Sequence, residues 1–127
     1  MKRLLLDTHV LLWLLDDNPR LGTAARHRIA TSPSVLVSSA STWEIAIKSS
    51  LGKLSVPNDL SDAIVASGLH DLPVTRAHTL ASDITALPHR DPFDALLVAQ
   101  ARIERASLLT ADTKILDACE DAIDARV

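Results

Sequence analysis

Short apolar runs alternate with stretches of helical character along this chain, and that alternation sets the expected fold. Residues 3–6 read as a first strand that stops at Asp7. Residues 34–38, built on Val35-Leu36-Val37, read as a second. Residues 72–75 and 107–110 supply a third and a fourth strand, and the tail from 122 to 127 an edge strand. Between them lie helical stretches at 8–16, 23–30, 42–51, 59–67, 76–86, 92–105 and 113–118. Their ends carry the expected punctuation. Asn18-Pro19 stops the first, Gly52 and Gly68 close the third and fourth, and Pro88 follows the fifth. Asp91 caps the sixth, with Pro92 at its first helical position. Strands alternating with helices predict an α/β fold: a central, mainly parallel sheet of four to five short strands flanked by helices. No repeat, linker or low-complexity segment interrupts the pattern, so residues 1–127 read as one domain.

The polar residues that interrupt this pattern carry the chemistry. Asp7 ends the first strand. Glu44 lies in the first turn of the helix after the second. Asp94 lies in the first turn of the sixth helix, and Asp112 follows the fourth strand. In a parallel sheet the carboxyl ends of the strands share one edge, where ligands of open α/β folds bind. Acids far apart in sequence are therefore expected in one cleft. Several buried carboxylates repel unless a cation joins them, and a hard divalent ion with oxygen ligands is the natural partner. Each acid also has a local explanation. Asp7 and Asp112 can cap helices, Ser41 and Glu44 form the pattern of a capping box, and Asp94 suits a helix dipole. Those explanations leave unexplained why all four fall on one edge. Thr8 and Thr110 are expected as hydrogen-bond partners of the acids. Asp91 is read first as a cap and second as a helper at the site. His9 and His89 lack the partner spacing of a zinc site. Trp13 and Trp43, in apolar helical contexts, read as core or interface packing.

Composition narrows the picture. With two Trp, one Phe and no Tyr, the core must be aliphatic. A net charge of −3 argues against holding nucleic acid by bulk positive charge, although Arg20, Arg26, Arg28, Arg76, Arg90, Arg102 and Arg105 could line a groove. Cys119 is the only cysteine, which fits a reducing compartment. The apolar start resembles a signal peptide, but Asp7, His9 and Asp16-Asp17 break it. The run 10–15 is too short to span a bilayer, so a cytoplasmic protein with no membrane partner is expected. Three scattered glycines make no phosphate loop.

Four blocks, in order and over nearly the whole chain, resemble a known family. They are Leu-Leu-Leu-Asp-Thr-His-Val-Leu-Leu-Trp, Ser-Thr-Trp-Glu-Ile-Ala-Ile-Lys, His-Arg-Asp-Pro-Phe-Asp-Ala-Leu-Leu-Val-Ala-Gln-Ala and Leu-Leu-Thr-Ala-Asp. The chain resembles PIN domains, and among them the VapC-type toxin ribonucleases of bacterial toxin–antitoxin pairs. The resemblance implies a Mg²⁺- or Mn²⁺-dependent endoribonuclease acting on transfer or ribosomal RNA. It implies Asp7, Glu44, Asp94 and Asp112 as catalytic metal ligands, a cognate antitoxin as partner, and a homodimer. One position departs: Ala95 stands where the group often has Arg, which would remove a phosphate contact. Two other readings compete. One is a phosphohydrolase with Asp7 as nucleophile, although His9 stands where a second Asp is usual. The other is a module with a decayed site that acts through a partner.

Overall fold

The computed structural model describes residues 2–56 and 59–127. Five short strands form one sheet: β1 (Leu4–Leu6), β2 (Val35–Ser38), β3 (His70–Leu72), β4 (Ser107–Thr110) and β5 (Ile123–Asp124). Their order is β3-β2-β1-β4-β5, and every neighbouring pair is parallel. The helices are α1 (Thr8–Leu15), α2 (Thr23–Thr31), α3 (Ser39–Ser50), α4 (Leu60–Ala66), α5 (Arg76–Ala81), α6 (Pro92–Ile103) and α7 (Thr113–Ala118), with a 3₁₀ turn at Ile84–Ala86. The expected α/β architecture is present, with five strands.

Successive strand residues point to opposite faces, and both faces are covered. Leu4, Leu6, Val35, Val37 and Leu109 pack one core with Val10, Leu11, Ala25 and Ile64. Leu5, Leu36 and Leu108 pack the other with Leu97, Ala101 and Ile115. The chain runs from β1 outward through β2 and β3, then returns to lay β4 on the other side of β1. The strand order therefore reverses between β1 and β4, the place where a parallel sheet opens a crevice at its carboxyl edge. Among the described residues, no helix is long and apolar enough to cross a membrane.

Three elements differ from expectation. Helix α3 begins at Ser39, not at residue 42, because the Ser38 hydroxyl caps it by accepting the Ala40 N–H at 3.0 Å. Ser41 is thus inside the helix and no capping box forms with Glu44. The third strand lies at His70–Leu72, not 72–75. Pairing with β2 sets its register (Leu36↔His70, Ser38↔Leu72), and Pro73, which has no N–H, follows it at once. The helix expected over 76–86 breaks at Ser82, and Asp83 caps the separate 3₁₀ turn through Thr85.

A buried polar chain ties α5 and α6 to the sheet. Ser38 Oγ donates to Gln100 Oε1 at 2.5 Å. Gln100 Nε2 lies 3.3 Å from His78 Nδ1, which also accepts the Thr75 N–H at 3.0 Å. The accepting Nδ1 leaves the proton on Nε2, which meets Glu104 Oε2 at 3.0 Å. This contact, before all others, holds the Glu104 carboxyl below its usual range. Gln100 is fully buried, so Gln100→Ala removes packing and strands the Ser38 hydroxyl. It should cost about 2–4 kcal/mol, read as a lowered urea midpoint at unchanged slope. A midpoint equal to wild type would show that the chain contributes nothing.

Candidate active site

At the carboxyl edge, beside β1 and β4, lies a cleft of about 310 Å³ whose lining includes Asp7, Glu44, Asp91, Asp94 and Asp112. Asp7, Asp91, Asp94 and Asp112 reach it from helix N-termini, whereas Glu44, expected in a first turn, lies in the second turn of α3 because that helix starts at Ser39. Asp7 caps α1 by accepting the Thr8 N–H on Oδ1 at 2.6 Å, while Oδ2 accepts the Thr110 hydroxyl at 2.6 Å. Asp112 caps α7 with Oδ1, accepting the Lys114 N–H at 2.8 Å, and turns Oδ2 to His89. Each carboxylate spends Oδ1 on its helix and Oδ2 on a residue from another segment, Thr110 for Asp7 and His89 for Asp112. Thr110 links the two, since its oxygen also accepts the Asp112 N–H at 3.0 Å. Asp91 accepts the N–H groups of Phe93 and Asp94 and so caps α6.

Glu44 is held differently. It is buried, its Oε1 accepts the Thr8 hydroxyl at 2.8 Å, and its Oε2 takes Lys48 Nζ at 2.8 Å. With the Thr8 proton committed to a charged acceptor, the 3.0 Å contact to Ser41 Oγ has Ser41 as donor.

His89 is the residue that sequence reasoning undervalued. Its Nε2 lies 2.9 Å from Asp94 Oδ2 and 3.1 Å from Asp112 Oδ2. Its Nδ1 accepts the Asp91 N–H at 3.2 Å, so Nε2 carries the proton and donates it between the two carboxylates. Arg90 makes this reach possible by turning the chain in the left-handed region (φ 52°). Among the described residues, His89, Asp94 and Asp112 are the one group whose ligand atoms all fall within 4.8 Å of each other. Asp7 and Glu44 share the cleft but lie outside this group.

Other expectations need correction. Lys48 is the only Lys or Arg among the described residues lining the cleft; of the scattered arginines, Arg102 and Arg105 line a separate pocket with Lys2. Ala95 is buried in the core behind α6, so its side chain does not face the cleft. Trp13 packs against the first core, as expected, and also lines the cleft. Trp43 is 63% exposed, with its ring 5.7 Å from that of Phe93 in an edge-on pair, so it is not core.

The electrostatics ask for a cation. Burial, then repulsion from Asp7 and Asp91, raises the Asp94 carboxyl to about 7, against a partial offset from His89. Burial likewise raises Asp7, although the Thr110 and Thr8 hydrogen bonds and His9 work against it. The cleft thus holds oxygens whose charged forms are disfavoured until positive charge arrives. An oxygen-rich donor set of this kind fits Mg²⁺ or Mn²⁺.

The PIN domain family model matches residues 4–121. Two solved structures share the fold. One is VapBC2 from Rickettsia felis bound to a DNA fragment from its promoter, at 16% identity and TM-score 0.64, covering 95% of this chain and 96% of that one. The other is a toxin–antitoxin complex from Klebsiella pneumoniae, at 17% identity and TM-score 0.63, with the same two coverages. No curated protein matches the chain. With the family model spanning nearly its whole length, the chain belongs to the PIN-domain family.

Proposed function

We propose that this chain, as a single PIN domain over residues 1–127, is a divalent-metal-dependent endoribonuclease. We read it as the toxin of a type II toxin–antitoxin pair. The observation that carries the reading is the meeting of Asp7, Glu44, Asp94 and Asp112 in one cleft where the strand order reverses. The two structural neighbours, both toxin–antitoxin assemblies, support an antitoxin partner. Transfer or ribosomal RNA is the substrate class. The protein acts as a cytoplasmic homodimer until the antitoxin silences it.

In this reading Asp94 and Asp112 hold Mg²⁺ or Mn²⁺ directly, and Asp7 completes the set from the floor of the cleft. Bound there, the ion supplies an acidified water and offsets charge on the scissile phosphate and leaving oxygen. The chain's own residues fix the geometry. Thr110 keeps Asp7 and Asp112 in register through one hydroxyl, and His89 holds Asp94 and Asp112 at a fixed separation. Glu44, bound by Thr8 and Lys48, acts through water. The aspartate-nucleophile alternative is weaker, because both Asp7 oxygens are engaged and the residue is 5% exposed.

The test is cleavage of total RNA by purified protein with Mn²⁺, beside a chelator control. Discrete fragments should appear with the ion and vanish with EDTA. The same ion should raise the melting temperature. At a concentration one hundred times its dissociation constant, the linked stabilisation is about 2.7 kcal/mol. RNA cleavage that persists in EDTA would remove the metal from the mechanism. Mn²⁺-dependent stabilisation with no cleavage would favour the decayed-site reading.

A further inference from the structure

An acidic cleft that takes RNA must also take its phosphates, and a cluster of carboxylates repels them. Among the described residues, one cation with spare donors stands in this cleft. Lys48 sits one turn along α3 from Glu44, with Nζ 2.8 Å from Glu44 Oε2. That is its only hydrogen bond among the described residues, and an ammonium carries three N–H groups. Its side chain is 40% exposed, whereas that of Glu44 is 7% exposed, so the ammonium stays open to an incoming group. Lys48 lines the cleft together with Asp91 and Asp94. The position where the family often carries Arg gives no rival, because Ala95 is in the core.

We propose that Lys48 is the side chain that binds an RNA phosphate beside the acid cluster, with Glu44 as the tether that aims it. The assignment rests on the ribonuclease reading above. Glu44 accepts a hydrogen bond from one ammonium N–H and so fixes the direction of the other two. Thr8 fixes Glu44 in turn, through its other oxygen. Lys48 then supplies a point charge for a phosphate oxygen, a contact that reads no base and serves any RNA sequence.

The experiment measures binding of a labelled transfer RNA mixture at saturating Mn²⁺ across KCl concentrations, for wild type, Lys48→Ala and Lys48→Arg. Mn²⁺ binding to each is followed by calorimetry without RNA. Lys48→Ala should weaken RNA binding about tenfold at low salt and flatten the log–log salt slope by roughly one ion. Lys48→Arg should restore most of both. Mn²⁺ affinity should hold in Lys48→Arg and hold or rise in Lys48→Ala, because losing the ammonium leaves Glu44 and its neighbours more negative. An unchanged salt slope in Lys48→Ala overturns the proposal. So does a loss of Mn²⁺ affinity that matches the loss of RNA affinity, because Lys48 would then serve only to position Glu44. Wild type that binds Mn²⁺ but no RNA would sink the ribonuclease reading itself, and the phosphate assignment with it.

Discussion

Asp94→Asn should abolish RNA cleavage, by at least about a thousandfold, while making the metal-free protein more stable. Both effects come from one feature. Asp94 sits where burial and the charges of Asp7 and Asp91 disfavour its ionised form, and its carboxyl titrates at about 7 instead of the ordinary 3.8. A raised carboxyl makes the folded state bind more protons than the unfolded chain between those values. Stability from this group therefore falls as pH rises from about 4 to about 7, and is flat beyond. Asparagine removes that penalty at nearly the same shape. The melting-temperature gain of Asp94→Asn should be near zero at pH 4 and greatest above pH 7. After discounting for solvent access, the gain is about 1–2 kcal/mol, worth several degrees in a domain of this size. Mn²⁺ should reverse the ranking, stabilising wild type and leaving the variant unmoved. The thousandfold loss of cleavage corresponds to about 4 kcal/mol of transition-state stabilisation. Activity within tenfold of wild type would remove Asp94 from the site. A variant less stable than metal-free wild type at pH 8 would show that the carboxylate serves the fold.

The acids were legible because they break apolar patterns at strand and helix ends, and because an all-parallel sheet gathers such ends on one edge. Asp7 after Leu4-Leu5-Leu6 and Asp112 after Leu108-Leu109-Thr110 needed no more than that. What escaped depended on contacts between distant segments. The letters Ser-x-x-Glu at 41–44 fit a cap, but Ser38 takes it, and Ser38 is held by Gln100, a residue from another helix. Once α3 starts at Ser39, Glu44 and Ile45 turn inward and Trp43 outward. Its apolar neighbours in sequence could not tell which way it faced. His89 escaped for a different reason. Its position two residues before Asp91 says nothing until Arg90 takes a left-handed backbone, a conformation that a non-glycine residue does not advertise. Lys48 was visible as the end of a block, and only its bond to Glu44 gives it a place in the cleft.

The second large effect lies away from the cleft. Gly22→Ala should lower the melting temperature by about 10–15 °C, from a loss of about 3–4 kcal/mol. Gly22 has ordinary extended backbone (φ −69°, ψ 161°), so its torsions do not require glycine. Space does. A Cβ there would lie 2.1 Å from the Val127 carbonyl oxygen, 2.3 Å from its carbon and 2.5 Å from its nitrogen. These are backbone atoms, so no side-chain rotation relieves the clash. The close approach has a purpose. Gly22 is the N-cap of α2 and has no side chain to satisfy the free N–H groups of the first turn. The tail supplies the acceptor instead. Ala25 N–H donates to the Val127 carbonyl at 3.0 Å, and Gly22 N–H donates to the Ala125 carbonyl at 2.9 Å. Ala125 is fully buried and follows β5, so pushing the tail away also strains its pairing with β4. Gly52→Ala is the control. It has positive φ (71°) but open space, so it should cost about 1 kcal/mol or less. Amide exchange at Gly22 and Ala25 should speed up in Gly22→Ala, while Mn²⁺ affinity, measured well below the transition, stays near wild type. If the two glycine variants melt together, the tail does not cap α2. If Mn²⁺ affinity falls with stability, the tail supports the acid cluster as well as the helix.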